Sequence, residues 1–87
     1  MRHATTSTLK ELTPLLDRLR SFDELIEKSP GSFYRKSKAF LHFHEDPLGI
    51  FVDVRLVAEE PFTRLRVTTQ RERAAFIAEV KRALAHW

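Results

Sequence analysis

The spacing of apolar residues changes twice along this chain, and this constrains the fold more than any other feature. From Leu9 to Ile26, apolar side chains recur in steps of three and four, as in an amphipathic helix. Between residues 38 and 68 the period falls to two, which is typical of strands with one buried face, and after Thr69 the helical period returns. The chain therefore predicts an α+β fold with the element order α-β-β-β-α.

Start and stop signals bound the two helical segments. Thr13 and Pro14 can begin a helix, because threonine caps a first turn and proline is tolerated at the first helical position. The first segment is therefore one bent helix or two short ones, and the segment Ser29–Gly31, which contains a proline, ends it. The last segment opens on Thr69 and Glu72, which have the spacing of a capping box.

Three runs rich in phenylalanine, valine, isoleucine and leucine predict strands at Lys38–His44, Ile50–Val57 and Phe62–Thr68. The connections between them are short, polar and contain proline, as hairpin loops do. We expect a three-stranded antiparallel meander with the helices packed on one face. Residues 1–8 are polar and predict a flexible tail, which leaves residues 9–87 as a single α+β domain.

The two faces of this sheet differ in chemistry, because successive side chains of a strand point to opposite sides. One face is almost wholly apolar and is expected to pack under the helices. We call the other the open face, and alternation assigns to it Phe40, His42, His44, Phe51, Asp53, Arg55, Phe62, Arg64 and Arg66. If the hairpin loops span Asp46–Gly49 and Ala58–Pro61, Asp53 lies between His42 and Arg66 in one cross-strand row.

Composition excludes several kinds of site and location. The chain has no cysteine, and therefore no disulfide and no thiolate metal ligand. Its apolar runs are too short to span a membrane, and residues 1–8 lack the apolar stretch of a secretory signal. We therefore expect a cytoplasmic protein of bacterial type without membrane contact. The net charge of +3 is too small to indicate nucleic-acid binding by itself.

Two histidines on the open face suggest a metal site. His42 and His44 lie two positions apart on one strand, so their imidazoles point the same way, and Asp53 can supply a third ligand. Such a site can bind Zn²⁺ and activate water, which makes a small metal-dependent enzyme one alternative. A purely structural role is also open, in which both histidines hydrogen-bond to Asp53 or to water. The sequence contains no nucleophile constellation and no cofactor motif, so we expect a binding domain rather than an enzyme.

The remaining groups of the open face favour binding. We predict an anionic ligand or partner at the residues His42, His44, Asp53, Arg55, Arg64 and Arg66. Arginines beside aromatic rings also suit RNA, which makes an RNA-binding module a second alternative. The candidate homodimer interface consists of Phe40, Phe51 and Phe62. The predicted function is a small interaction domain that self-associates and uses its open face for this ligand or partner.

The segment from Phe33 to Asp53, which contains Leu41-His42-Phe43-His44, resembles small bacterial domains named after the fungal luciferase. The run Phe62-x-x-Leu65-x-Val67 before Glu72 is similar to them as well. In those domains a His-x-His strand precedes a second strand, and a later strand leads into a final helix. The resemblance covers residues 33–85, and this chain lacks the longer middle segment of those domains. Because the bacterial members have no established activity, the resemblance implies a fold and no reaction.

Overall fold

The sheet is larger than the sequence predicts. The computed structural model describes residues 1–87 and contains three helices and one antiparallel sheet of six strands. In chain order the elements are β1 (Arg2–His3), α1 (Thr6–Glu11), α2 (Thr13–Arg20), β2 (Ile26–Ser29), β3 (Ser32–Arg35), β4 (Lys38–Asp46), β5 (Gly49–Val54), β6 (Thr63–Arg66) and α3 (Gln70–His86). The strands are arranged in the order β2-β3-β4-β5-β6, and β1 pairs with β4. The α+β class is confirmed, whereas the count of three strands is wrong.

The hairpin of β2 and β3 covers residues 26–35, where the sequence predicts the end of the first helical segment and no strand. Its turn contains Gly31, which has a φ of 77°, a conformation that glycine adopts without steric cost. Phe33 is fully buried opposite Leu41 of β4, and this packing favours a strand. The first helical region therefore ends at Arg20 and does not reach Ile26.

The N-terminal residues, predicted as a flexible tail, form β1 and the first turn of α1. His3 lies opposite His44 in the ladder between β1 and β4. Thr5 caps α1, since its hydroxyl accepts a hydrogen bond from the amide of Thr8. The carboxylate of Glu45 accepts the Thr5 amide at 2.6 Å, and this hydrogen bond is the main cause that lowers the pKa of Glu45 to about 2.

The helices pack on the apolar face of the sheet. α1 and α2 are separate short helices that meet at Leu12, with Pro14 in the first turn of α2. α3 begins with the predicted capping box, in which Thr69 and Glu72 each accept the amide hydrogen of the other. Apolar side chains of the helices and the sheet form one core that contains no buried polar side chain. None of the helices is long and apolar enough to cross a membrane.

The prediction that Phe40 lies on the open face is wrong. The ladder pairs the consecutive residues 33 and 34 of β3 with Leu41 and Ala39 of β4, so Phe40 forms a β-bulge. The bulge interrupts the alternation of side chains, and Phe40 and Leu41 both turn into the core. The ring of Phe40 packs edge-on against Trp87, with the ring centroids 5.5 Å apart. Phe40 therefore cannot belong to an interface on the open face.

The register between β5 and β6 also differs from the prediction. Asp53 lies opposite Arg64, and Arg66 lies opposite Phe51. The connection between these strands covers residues 55–62, because β5 already ends at residue 54. The shift amounts to two residues, so the same side chains stay on the open face, but the predicted row from His42 through Asp53 to Arg66 does not form.

Arg55 accounts for the longer connection. Its guanidinium donates hydrogen bonds to the carbonyls of Ala39 at 3.1 Å and Glu60 at 2.7 Å. The carbonyl of Arg55 accepts the indole N–H of Trp87 at 2.8 Å. These bonds hold the residues after β5 against β4 and the end of α3. The connection between β5 and β6 is therefore longer than the predicted loop Ala58–Pro61.

Candidate functional site

Two adjacent strands bring the candidate metal ligands together. His42 and His44 alternate on β4 with Phe43, which is buried in the core, so both imidazoles lie on the open face. Asp53 of β5 pairs with His42 in the ladder, which confirms the predicted register of this hairpin. The Oδ2 atom of Asp53 lies 3.6 Å from Nε2 of His42 and 3.1 Å from Nε2 of His44. One ligand atom of each residue lies within 4.8 Å of the other two.

Arg64 holds the carboxylate of Asp53 in a fixed orientation. Its Nε donates to Oδ1 at 2.7 Å and its Nη2 donates to Oδ2 at 2.8 Å. This is the bidentate arrangement in which a guanidinium fits a carboxylate best. Only 13% of the Asp53 side chain is exposed, whereas about half of the Arg64 side chain is accessible to solvent. The carboxylate is therefore immobilised under an arginine that itself stays accessible.

Aromatic contacts limit the access of water to the histidines. The ring of Phe62 packs edge-on against His42, with the ring centroids 5.0 Å apart. The guanidinium of Arg55 lies over the Phe62 ring, 4.4 Å from its centroid. On the opposite side, the ring of His44 stacks on that of His3 at 4.8 Å. The histidine pair thus lies in a partly closed recess rather than on a solvated surface.

The contact between His44 and Asp53 is short but is not a hydrogen bond. Nε2 of His44 and Oδ2 of Asp53 are 3.1 Å apart, which is close enough for an ion pair. The atoms lack the alignment that a hydrogen bond needs, and Nε2 is buried without any hydrogen-bond partner. Buried polar atoms are rarely left in this state, which points to a ligand that would occupy the nitrogen.

The protonation states in this recess suit a metal ion. Burial lowers the pKa of His42, and the neighbouring His44 adds to this effect. The hydrogen bonds from Arg64 lower the pKa of Asp53. At neutral pH, therefore, His42 is a neutral imidazole and Asp53 is a carboxylate, and a metal ion requires both groups in these forms.

The spacing of the ligand atoms also suits a transition metal. In a tetrahedral site with bonds of about 2.0–2.2 Å, neighbouring ligand atoms lie roughly 3.3–3.6 Å apart. The two distances from the Asp53 oxygen, 3.1 and 3.6 Å, lie close to this range. The positive charge of Arg64 opposes a cation here, because both would share one carboxylate. The distances to Asp53 are therefore compatible with a divalent ion, whose binding the charge of Arg64 would weaken.

The arginines Arg55 and Arg66, also predicted to bind a ligand, do not join this cluster. Arg66 donates to both carboxylate oxygens of Glu72 at 3.0 Å and to the carbonyl of Leu48. Arg55 donates to backbone carbonyls. Both arginines thus have structural partners within the chain. Phe51 and Phe62, the other two residues of the predicted interface, are half-buried on the open face.

His3 is a neighbour of this cluster that sequence patterns did not reveal. Its ring lies 4.8 Å from that of His44 and 5.9 Å from that of His42, measured between centroids. The residue is exposed and belongs to a two-residue strand, which is too short to show a period. Only the pairing of β1 with β4, a contact between distant parts of the chain, brings His3 to this position.

Comparison with known proteins gives no further guide to the site. No family model, no curated protein and no solved structure matches this chain. The interpretation of the site therefore depends on its own geometry.

Proposed function

We propose that this protein binds a divalent transition-metal ion such as Zn²⁺ on its open face, with His42, His44 and Asp53 as ligands. The observation that carries this proposal is the buried Nε2 of His44, which has no hydrogen-bond partner and lies 3.1 Å from a carboxylate oxygen. A metal ion would give this nitrogen a partner. It would also use the carboxylate and the second imidazole, which already lie within 4.8 Å.

A hydrogen-bond network, a bound anion and RNA each account for less of the geometry of the recess. A network would satisfy His44 through Asp53, but the two side chains are not aligned for a hydrogen bond. An anion bound by arginines alone would need free guanidinium groups, whereas Arg55 and Arg66 already donate to partners within the chain. The same pairing weakens the support for RNA, which needs accessible cationic side chains.

The predicted anionic ligand is compatible with a metal site. Two imidazoles and one carboxylate leave at least one coordination position of a zinc ion open to water or an anion. Arg64 is half-exposed, and its Nη1, which makes no hydrogen bond within the chain, can donate to a negative group. Activation of a bound water would make the protein a small metal-dependent enzyme, which remains an alternative. The homodimer also remains a proposal, now without Phe40.

A metal-binding titration tests the proposal. Metal-free protein is titrated with Zn²⁺ in competition with a chromophoric chelator, for the wild type and for His42→Ala, His44→Ala and Asp53→Asn. Loss of a group that merely supports a metal ligand costs about 10- to 100-fold in affinity, so we expect each substitution to cost at least as much. His86→Ala is the matched control, because His86 lies at the end of α3, away from the three ligands.

Two results would decide against the proposal. One is wild-type affinity in the His44→Ala variant, measured on protein whose thermal melt shows that it is folded. The other is wild-type protein that binds Zn²⁺ no more tightly than a variant lacking both His42 and His44. A thermal-melt series with RNA at low and high salt tests the alternative, because RNA binding would weaken steeply as the salt concentration rises.

A further inference from the structure

A third histidine lies at the edge of the proposed metal site. His3 stacks on His44 with the rings inclined by 27°, and it lies opposite His44 in the ladder of β1 and β4. We propose that His3 becomes the fourth ligand of the metal ion, so that metal binding fastens the N-terminal strand β1 to β4. This inference depends on the proposed metal site and specifies how that site is completed.

The surroundings leave His3 free to turn toward the metal. Its side chain is exposed and makes no hydrogen bond, in contrast to Asp53, which Arg64 immobilises. A cavity of about 270 Å³ lies beside it, lined among others by Leu9, Ser32 and His42. The cavity borders His42 but not His44 or Asp53, so the proposal requires the imidazole of His3 to turn about its side-chain bonds toward those two residues.

No other side chain is as well placed to complete the site. The chain has no cysteine, and His86, the one histidine left, lies at the end of α3. Asp46 points to the same face of β4 as His44, but its carboxylate accepts the amide of Leu48 and closes the hairpin turn. Glu45 follows His44 on the strand and so lies on the opposite face, and its carboxylate accepts a hydrogen bond from the amide of Thr5.

The strand that carries His3 is weakly attached without a metal. Neither of its two residues is buried, and the Arg2–Glu45 ion pair at 3.3 Å is exposed on the arginine side. Exposed ion pairs of this kind contribute little to stability. Beside its two-residue ladder with β4, the segment is held by two hydrogen bonds, from the Ala4 amide to the Phe43 carbonyl at 3.1 Å and from the Thr5 amide to Glu45. Local opening of such a terminal strand is expected to be frequent.

A fourth protein ligand changes what the metal does. Zinc sites with three protein ligands keep an open position for catalysis, whereas sites with four are closed and structural. Coordination by His3 would fill the last position of the metal ion, and the ion would then cross-link β1 to β4. By linkage, the metal must stabilise the docked strand by the same factor by which docking strengthens metal binding.

Cobalt provides a direct test, because the visible absorption of Co²⁺ depends on both the number and the chemical kind of its ligands. We would titrate metal-free wild type, His3→Gln and His86→Ala with Co²⁺. The glutamine keeps a polar side chain of similar reach without the imidazole. Wild type and His86→Ala should show the strong four-coordinate spectrum. His3→Gln should bind Co²⁺ about 5- to 150-fold more weakly, the usual range of a linked equilibrium, and its absorption maximum should shift because water or an anion replaces the imidazole nitrogen as the fourth ligand.

Hydrogen exchange of the N-terminal segment provides the second measurement. Co²⁺ should slow the exchange of the Ala4 and Thr5 amides in the wild type and not in His3→Gln. If His3→Gln binds Co²⁺ with unchanged affinity and spectrum, the role of His3 is refuted while the site of His42, His44 and Asp53 stands. If the wild type does not bind Co²⁺ or Zn²⁺ at all, both proposals fail.

Discussion

Gly49 fixes the hairpin that places His42 opposite Asp53, and replacing it should therefore destabilise the whole domain. Gly49 has a φ of 137°, which side chains with a Cβ rarely adopt. A Cβ at this position would lie 2.3 Å from Oγ1 of Thr68. That hydroxyl accepts a hydrogen bond from the Ile50 amide at 2.8 Å and donates one to the Ile50 carbonyl at 3.2 Å, so displacing it disrupts its hydrogen bonding to Ile50.

The cost of Gly49→Ala follows from these contacts. Backbone strain at such a conformation is about 1–3 kcal/mol. Displacement of the Thr68 hydroxyl adds about 1 kcal/mol for the lost hydrogen bond to Ile50. Alanine has a smaller conformational entropy than glycine in the unfolded chain, and this difference offsets roughly 0.4–1 kcal/mol of the lost stability. The net loss is about 2 kcal/mol, which for a domain of this size lowers Tm by roughly 8–16 °C.

Thermal and urea denaturation of Gly49→Ala measure this loss. Leu48→Ala is the matched control, because the side chain of Leu48 is 75% exposed and its backbone contacts survive the substitution. We expect the control to melt within a few degrees of the wild type. In a Thr68→Ala background the clash with the hydroxyl is absent, so Gly49→Ala should cost only the backbone strain and a small adjustment of the Arg66 guanidinium, which would lie 3.2 Å from the new Cβ. A loss below about 0.5 kcal/mol in the single variant would refute the reasoning, since that is the scale of ordinary surface substitutions.

Three further substitutions probe other features of the fold. Ser37 has a φ of 69° in the turn between β3 and β4, so Ser37→Gly should stabilise the protein by about 0.5–1 kcal/mol in thermal melts. Trp87→Phe removes the donor to the Arg55 carbonyl and should cost about 1 kcal/mol in urea denaturation. The third substitution, His42→Gln, tests how the stability depends on pH. Because burial lowers the pKa of His42, the unfolded chain binds more protons below about pH 6.5, and stability should fall as the pH decreases through that region. His42→Gln should flatten this dependence in denaturation curves at about pH 5.5 and 7.5.

The central hairpin of the sheet could be predicted because local sequence determines it. β4 and β5 alternate clearly between apolar and polar residues, and the loop between them contains Pro47 and Gly49. A short loop with one strained glycine permits few registers, so the pairing of His42 with Asp53 follows from the sequence. The same reasoning applies to α3, whose capping box is a local signal.

The remaining strands could not be predicted, because contacts between distant residues create them. β1 has two residues and β2 and β3 have four each, too few to establish a period. β3 exists because Phe33 fills the core opposite Leu41, and nothing in the neighbouring sequence distinguishes this from a solvated connection. The bulge at Phe40 and the late closure of the β5–β6 hairpin likewise depend on Trp87, which comes from the other end of the chain.

The register of β6 decides the electrostatics of the site. With Arg66 directed to Glu72 of α3, Arg64 is the only arginine that balances the charge of Asp53. His42 adds a ligand atom without adding positive charge, since burial keeps its imidazole neutral by lowering its pKa. The electrostatic repulsion on a cation at this carboxylate would therefore come from one arginine, Arg64, instead of several. A face that looks basic in the sequence is thus compatible with the proposed metal ion, because the fold pairs Arg55 and Arg66 elsewhere.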